Sequence, residues 1–314
     1  MKLGIIMDPI EGIDIEKDTT FALMLEAQSR DYEIFYMEPG SIWLQDGLIW
    51  GRMAKIEVND DEDDWFELED EQAQPLVELD ALLMRKDPPF DMNYVYLTYL
   101  LEQAESQGLV VVNKPQSLRD ANEKFYTAWF PQCCPKTLVT ADMDLIHNFL
   151  DDEEQIIIKP MDSMAGGSVF FVELGDPNTN VIIETMTDQG DQLVMVQRYI
   201  PAIKEGGDKR IIMIYGEPIP YGLARIPAED DFRGNLARDA TPHGRELTDR
   251  DRWLCEQVGP TLKKKGLNFV GLDVIGDFLT EINVTSPTGV RELENFFDIN
   301  ICAEFFDQLE ASLR

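Results

Sequence analysis

An α/β chain of two or three packed units is the fold class this sequence predicts, on three observations. Its 314 residues exceed what a single small core organises. The first 115 or so residues alternate strand-length apolar runs with stretches of helical period, the pattern of a mostly parallel sheet layered with helices. Late in the chain, residues 269–275 and 278–282 are two apolar runs either side of Gly276-Asp277, which is the signature of a β-hairpin.

Taken in order, residues 3–7 read as a buried strand. Asp18-Thr19-Thr20 cap a helix over 21–30, and 32–37 is a second strand. Residues 41–58 read as short strands around Gly47 and Gly51, before the acidic run 60–64. A strand at 81–84, a helix over 93–107 and a strand at 109–112 complete the first layer. Met7-Asp8-Pro9, Arg85-Lys86-Asp87 and Asn113-Lys114-Pro115 fall at the C-terminal ends of strands, where open α/β sheets bind ligands. A helix is expected over 118–129, carrying Lys124, with Pro131 and Pro135 marking a boundary. The second unit has strands at 137–140, 156–160, 169–172 and 192–200, and helices at 143–150 and 177–189. The third has strands at 208–214 and 220–226, a polar loop over 227–246 and a helix over 249–265 closed by Gly266. The hairpin and a last helix over 299–313 follow.

Composition excludes several function classes. Lys and Arg number 27 against 60 Asp and Glu, a net charge of −33. That surface repels nucleic acid and anionic membranes. The acidic runs at 60–64, 151–154 and 229–231 read as solvated loops. The four cysteines have no zinc-site spacing, and Cys133-Cys134 are adjacent, so reduced thiols in a cytoplasmic setting are expected. The apolar run at the N-terminus is too short for a signal peptide or a membrane span. Two histidines leave no Ser–His–Asp or HExxH pattern, and neither GxGxxG nor GxxxxGK[ST] occurs where a dinucleotide fold or P-loop needs it.

The chemistry is concentrated in polar residues at strand ends. Asp273 lies opposite Glu281 in the expected hairpin, and Asn283 leaves the same face as Glu281. Two carboxylates and an amide oxygen make a hard site of the kind that holds Mg²⁺ beside phosphates; an edge hairpin with a solvated polar face fits the same spacing. Lys159 ends a strand just before the small-residue stretch 162–168, which includes Gly166 and Gly167. Backbone N–H groups in such a loop approach phosphate oxygens closely, although a plain Gly-rich turn has the same composition. Gln197, Tyr199 and Ile200 end an extended strand at Pro201, a hinge able to offer backbone to an adenine edge and a side chain to its ring. Lys124, Lys159, Arg210, Arg225 and Arg233 each sit near a strand end or turn of a very acidic chain. Together with the hairpin they favour a Mg-nucleotide site.

The segments LMRKDPPFD, VVNKPQSLRDANEKFYTAWF, IIIKPMD, IPAIKEGGDKRI, LARIP, FRGNLA and FVGLDVIGDFLTEINVTSPTGVRE resemble the bacterial-type glutathione synthetase family of the ATP-grasp superfamily, over essentially the whole chain. The resemblance implies an α/β and α+β fold: a Rossmann-like N-terminal domain over 1–122, an ATP-grasp small subdomain over 123–202 and a C-terminal subdomain with the metal site over 203–314. It implies ligation of γ-glutamylcysteine to glycine with ATP and Mg²⁺, Mn²⁺ being a substitute, in a cytoplasmic homotetramer. By position, it assigns Lys124, Lys159, Gly166, Gly167, Gln197, Tyr199, Ile200 and Asp208 to ATP, and Asp273, Glu281 and Asn283 to the metal. Arg210, Arg225 and Arg233 are implied to stabilise the transferring phosphoryl group, and Arg85, Ser286, Thr288 and Arg291 to grip the substrate.

Two departures stand out. The phosphate loop carries less glycine than the family's, and Asp239-Ala240 replace its usual glycine pair, which reduces loop freedom. Competing functions are another carboxylate–amine ligase of the same superfamily and a non-catalytic nucleotide-binding module. The KDPPFD and TSPTGVRE segments speak against the first, and the intact acidic hairpin and two lysines against the second.

Overall fold

The computed structural model describes residues 1–162, 167–228 and 240–314. Its first unit opens with β1 (Lys2–Ile6), α1 (Thr19–Ser29), β2 (Glu33–Met37), β3 (Ile42–Gln45), β4 (Leu48–Val58), β5 (Phe66–Leu68), β6 (Gln72–Pro75), β7 (Ala81–Met84), α2 (Met92–Ser106), β8 (Val110–Val112) and α3 (Pro115–Asp120). The central strands run β2-β1-β7-β8 in parallel, and β4 adds antiparallel at the β2 edge. Asp18 caps α1 by accepting from the Phe21 amide at 2.7 Å, as its sequence implied. The strand expected to break at Gly51 runs straight through it. A Cβ there would come 2.8 Å from Leu76 and from Met37, so this glycine serves close packing rather than a turn.

The second unit is the antiparallel sheet β11-β10-β12-β9, built from β9 (Thr137–Thr140), β10 (Gln155–Pro160), β11 (Phe170–Glu173) and β12 (Val194–Arg198), with α4 (Met143–Glu153) and α5 (Thr179–Met186) over it. A short α6 (Ile203–Gly206) leads into the third unit. This is the antiparallel sheet β15-β14-β13-β16-β17, from β13 (Asp208–Ile214), β14 (Glu217–Ile226), β15 (Thr241–Glu246), β16 (Phe269–Ile275) and β17 (Phe278–Asn283). It carries α7 (Asp249–Lys265), α8 (Val290–Phe297) and α9 (Ile301–Ser312).

Two expectations need correction. The helix drawn over 118–129 is broken: α3 ends at Asp120, and the Asn122 side chain accepts from the amides of Lys124 (3.1 Å) and Phe125 (2.9 Å), a local bond that replaces helix continuation. The "polar loop" contains β15, whose residues pair with β14 from Tyr221↔Glu246 to Ile226↔Thr241; as a largely exposed edge it lacks apolar alternation. The helix expected over 299–313 forms as α9, and a further helix, α8, precedes it. Asp298 adopts φ 51° after α8, and Asn300 caps α9 through the Ala303 amide at 2.7 Å.

The first and third sheets share cores, whereas the second has its own. Leu3, Ile5 and Ile34 of the first unit lie in one apolar cluster with Ile212, Phe305 and Phe306 of the third. The smaller cluster of Ile146, Leu150, Ile156, Ile158, Val172, Ile183, Val194 and Val196 lies wholly in the second unit. Asn113, expected at a ligand-binding strand end, instead joins the two large sheets. Its Nδ2 donates to the carbonyls of Phe269 (2.8 Å) and Val284 (2.7 Å). Its Oδ1 accepts from the amides of Asn268 (2.7 Å) and Phe269 (2.9 Å). A buried amide with both ends satisfied locks one register between units. All four cysteines are unbridged, and among the described residues no helix is long and apolar enough to cross a membrane.

Candidate active site

The site is built on the β16–β17 hairpin. Asp273 stands opposite Glu281 in the ladder, as the turn at Gly276-Asp277 predicted, with an irregularity between Asp273 and Val274. The hairpin turn meets the second unit: a Cβ on Gly276 (φ 56°) would lie 3.1 Å from that of Ala202. The expected hinge, Tyr199 and Ile200, is therefore held beside the acidic strands. Gln197 is buried and donates to Thr137 Oγ1 at 3.1 Å, and the Tyr199 ring stands edge-on to Phe171 at 4.7 Å.

One half of the site is a closed ion network. Arg210 on β13 lies next to Asp273 in the ladder and binds it with Nε at 2.5 Å from Oδ1 and Nη2 at 2.8 Å from Oδ2. Arg225 on β14 faces Asp208. Its Nη2 sits 2.6 Å from Asp208 Oδ2 and 3.1 Å from Asp273 Oδ2. Asn283 Nδ2 donates to the same Asp273 oxygen at 3.1 Å. Burial alone would raise the Asp273 carboxyl, but the two guanidiniums outweigh it and hold the acid well below the usual range. Burial pushes Asp208 up to about 7, against the pull of Arg225. Among the described residues its Oδ1 has no hydrogen-bond partner.

The other half is less committed. Lys159 is 9% exposed, and among the described residues its ammonium makes no hydrogen bond or ion pair. Burial lowers its proton affinity while Glu281 partly restores it. Lys124, 2% exposed, is paired with Glu123 at 2.5 Å. Glu281 itself has no ion-pair partner among the described residues. Asn283 commits its amide nitrogen to Asp273 and, at 3.4 Å, to the Gly271 carbonyl, which leaves its oxygen as the end free to ligate.

Among the described residues no three carboxylate, histidine or cysteine side chains cluster tightly enough to hold a metal alone. A Mg²⁺ ion bound partly by phosphates needs only one or two carboxylates. Glu281 and the Asn283 oxygen fit that role; Asp273 reaches it only with lone pairs left over from its arginines. For the triphosphate, the buried Lys159 and Lys124 are the fitting donors.

The expected substrate residues are spread along the seam between the first and third units. Arg85 is buried, with Nε donating to Thr20 Oγ1 at 3.1 Å, Nη2 to the Pro287 carbonyl at 3.0 Å, and its guanidinium over the Phe269 ring. It braces the loop that follows β17. Ser286 donates to the Asp87 carboxylate, and the Thr288 carbonyl accepts from Arg210 Nη1 at 3.3 Å. Arg291 turns to Asp60, in an acidic run expected to be merely solvated, with 2.9 and 3.0 Å contacts. Gly166 and Arg233 lie outside the described residues, as does Asp239; Gly167 is in the turn leading to β11, and Ala240 is buried. Sequence reasoning passed over Glu123, although an acid beside a candidate phosphate lysine was a visible signal.

Known proteins resemble this chain over nearly its whole length. The N-terminal-domain model of the prokaryotic glutathione synthetase family matches residues 1–119, and its ATP-grasp-domain model matches residues 123–298. The chain is 61% identical over 310 residues to a glutathione synthetase of Coxiella burnetii, covering 99% of this chain and 96% of that one. It is 53% identical to one of Pseudomonas syringae pv. tomato, covering 100% and 98%. In fold it is similar to the crystal structure of D-cycloserine synthetase DcsG, with TM-score 0.69, 14% identity and full coverage of both chains. It is also similar to the ATP-grasp ligase PsnB, with TM-score 0.62, 16% identity and 99% and 98% coverage. With two family domains matched in tandem across nearly its whole length, the chain belongs to the prokaryotic glutathione synthetase family, on an ATP-grasp fold.

Proposed function

We propose that the chain joins γ-glutamylcysteine to glycine at the expense of ATP, in units spanning 1–122, 123–202 and 203–314. The observation that carries this reading is Lys159: a buried side chain with no hydrogen-bond or ion-pair partner among the described residues, under the influence of Glu281. An unpaired buried cation is costly unless an anion comes to it. The cysteinyl carboxylate oxygen attacks the γ-phosphorus, the bond to the β-phosphate oxygen breaks, and ADP leaves. The glycine amine then attacks the acyl carbon, loses its proton, and inorganic phosphate departs. Lys124 and Lys159 hold the phosphates, with Gly166-Gly167 covering them. Gln197, Tyr199 and Ile200 receive the adenine, and Asp208 the ribose. Arg210, Arg225 and Arg233 stabilise the transferring group, while Arg85, Ser286, Thr288 and Arg291 order the dipeptide side. A divalent ion, Mg²⁺ or in its place Mn²⁺, supplies charge neutralisation on the phosphates when bound by Asp273, Glu281 and Asn283. No side-chain nucleophile is needed; positioning and charge carry the rate.

The enzyme acts in the cytoplasm as a homotetramer, which is supported by unbridged thiols and by the exposed Met92, Tyr96 and Tyr99, spaced along one face of α2. Light scattering that gave a monomer at working concentration would count against the tetramer. The reaction is tested by following ADP release with γ-glutamylcysteine, with and without glycine. Sustained release that requires both is expected; release indifferent to the dipeptide would overturn the assignment.

A further inference from the structure

Glu123 has no part in the reaction described above, yet its placement is specific. Its carbonyl accepts from the Ile282 amide at 2.8 Å, which sews the segment 122–124 onto β17 beside Glu281. The neighbouring Asn122 donates from Nδ2 to the Met161 carbonyl at 2.8 Å, at the end of β10 that carries Lys159. The segment therefore bridges the two strands that bear the phosphate lysine and the free acid. Within it, Glu123 Oε1 lies 2.5 Å from Lys124 Nζ. Lys124 also feels the Glu281 charge, and Glu281 in turn repels Glu123.

Among the described residues the site carries four cationic side chains, Lys124, Lys159, Arg210 and Arg225, against four carboxyls, Glu123, Asp208, Asp273 and Glu281. Arg210 and Arg225 are taken up by Asp273 and Asp208. What remains is Lys159 without a partner and Lys124 held by Glu123. A phosphate arriving at Lys124 competes with a carboxylate already there.

We propose that Glu123 is a positioning residue that parks the Lys124 ammonium against β17 when no nucleotide is present and yields it to a phosphate on binding. It sets the affinity for the nucleotide through Lys124 rather than touching the reacting atoms. Its carboxylate keeps the empty site near charge balance, so a buried lysine pair does not face Glu281 alone. The cost is weaker binding of free anions.

This rests on the nucleotide reading above, and the test separates the two. The dissociation constant of ADP is measured by titration calorimetry in EDTA for the wild type, Glu123→Gln, Lys124→Met and the double variant. Glu123→Gln should bind metal-free ADP about tenfold tighter, the effect of removing one like charge at close range. In the Lys124→Met background the same change should alter affinity by less than about twofold, because the interaction runs through Lys124. Turnover of Glu123→Gln should fall while its KM for ATP falls too. Unchanged or weaker ADP binding in Glu123→Gln overturns the proposal. So does an equal gain in both backgrounds, which marks Glu123 as a diffuse charge. Should Glu123→Gln not fold, Glu123→Met reads the same quantity with an equally long side chain that needs no partner. A wild type that binds no ADP with or without Mg²⁺ refutes the nucleotide site itself, and this inference with it.

Discussion

The two halves of one hairpin face treat charge in opposite ways. Around Asp273, each carboxylate oxygen is taken by a guanidinium or an amide. Across the ladder Glu281 is only half-buried, and it and the buried Lys159 of the neighbouring sheet have no ion-pair partner among the described residues. A satisfied buried network gives rigidity, whereas unsatisfied buried charge is a standing cost. The contrast separates residues that hold the scaffold from residues that wait for a ligand, and it separates what stability measurements will see from what turnover will see.

The largest effect falls on the satisfied half. Arg210→Met leaves Asp273 buried with only Arg225 and Asn283, and should cost about 3 kcal/mol in denaturant unfolding, the lower end for breaking a buried pair because two partners remain. Adding Asp273→Leu should recover most of it; a double variant no more stable than the single would show that the network does not carry this stability. Lys159→Met probes the unsatisfied half. Its ammonium is disfavoured by burial, so stability should stay level or rise. The rate of ADP formation should fall about 10²–10³-fold, as for loss of a preorganised donor. A large drop in melting temperature with turnover intact would reverse the contrast.

The smallest effect is a pH slope. Asp208 titrates near 7 in the folded chain, raised from its unfolded value by burial. Between the two values the folded state binds the extra proton. Its contribution is therefore present below about pH 4 and lost as pH rises through about 7. In metal-free, nucleotide-free protein, Asp208→Asn should flatten this fall in stability, by at most about 1.4 kcal/mol per pH unit. Identical pH profiles for the two proteins would remove Asp208 from the account.

Much of this division was out of reach of sequence. Register was legible: alternation in 269–282 and the Gly276-Asp277 turn place Asp273 against Glu281, because a side-chain period of two leaves one alignment. The partners of Asp273 were not, since Arg210 comes from a strand 63 residues earlier in the chain and nothing local forecasts a bidentate pair. The Asn122 break and the β15 edge were missed for a different reason. Side-chain-to-backbone bonds and unpatterned edge strands leave no hydrophobic period. Arg85 had the right charge at a strand end, but only packing reveals that Thr20 and Pro287 already hold it.

The self-contained core of the small four-stranded sheet bears on how the molecule opens. Because its apolar side chains bury one another and not those of the large body, the sheet can tilt about the Tyr199–Ala202 segment with its interior undisturbed. Widening the mouth then strains mainly the polar ties at its border, such as Asn122 to Met161. A tilt of that kind would leave the packing within the small sheet's own core intact.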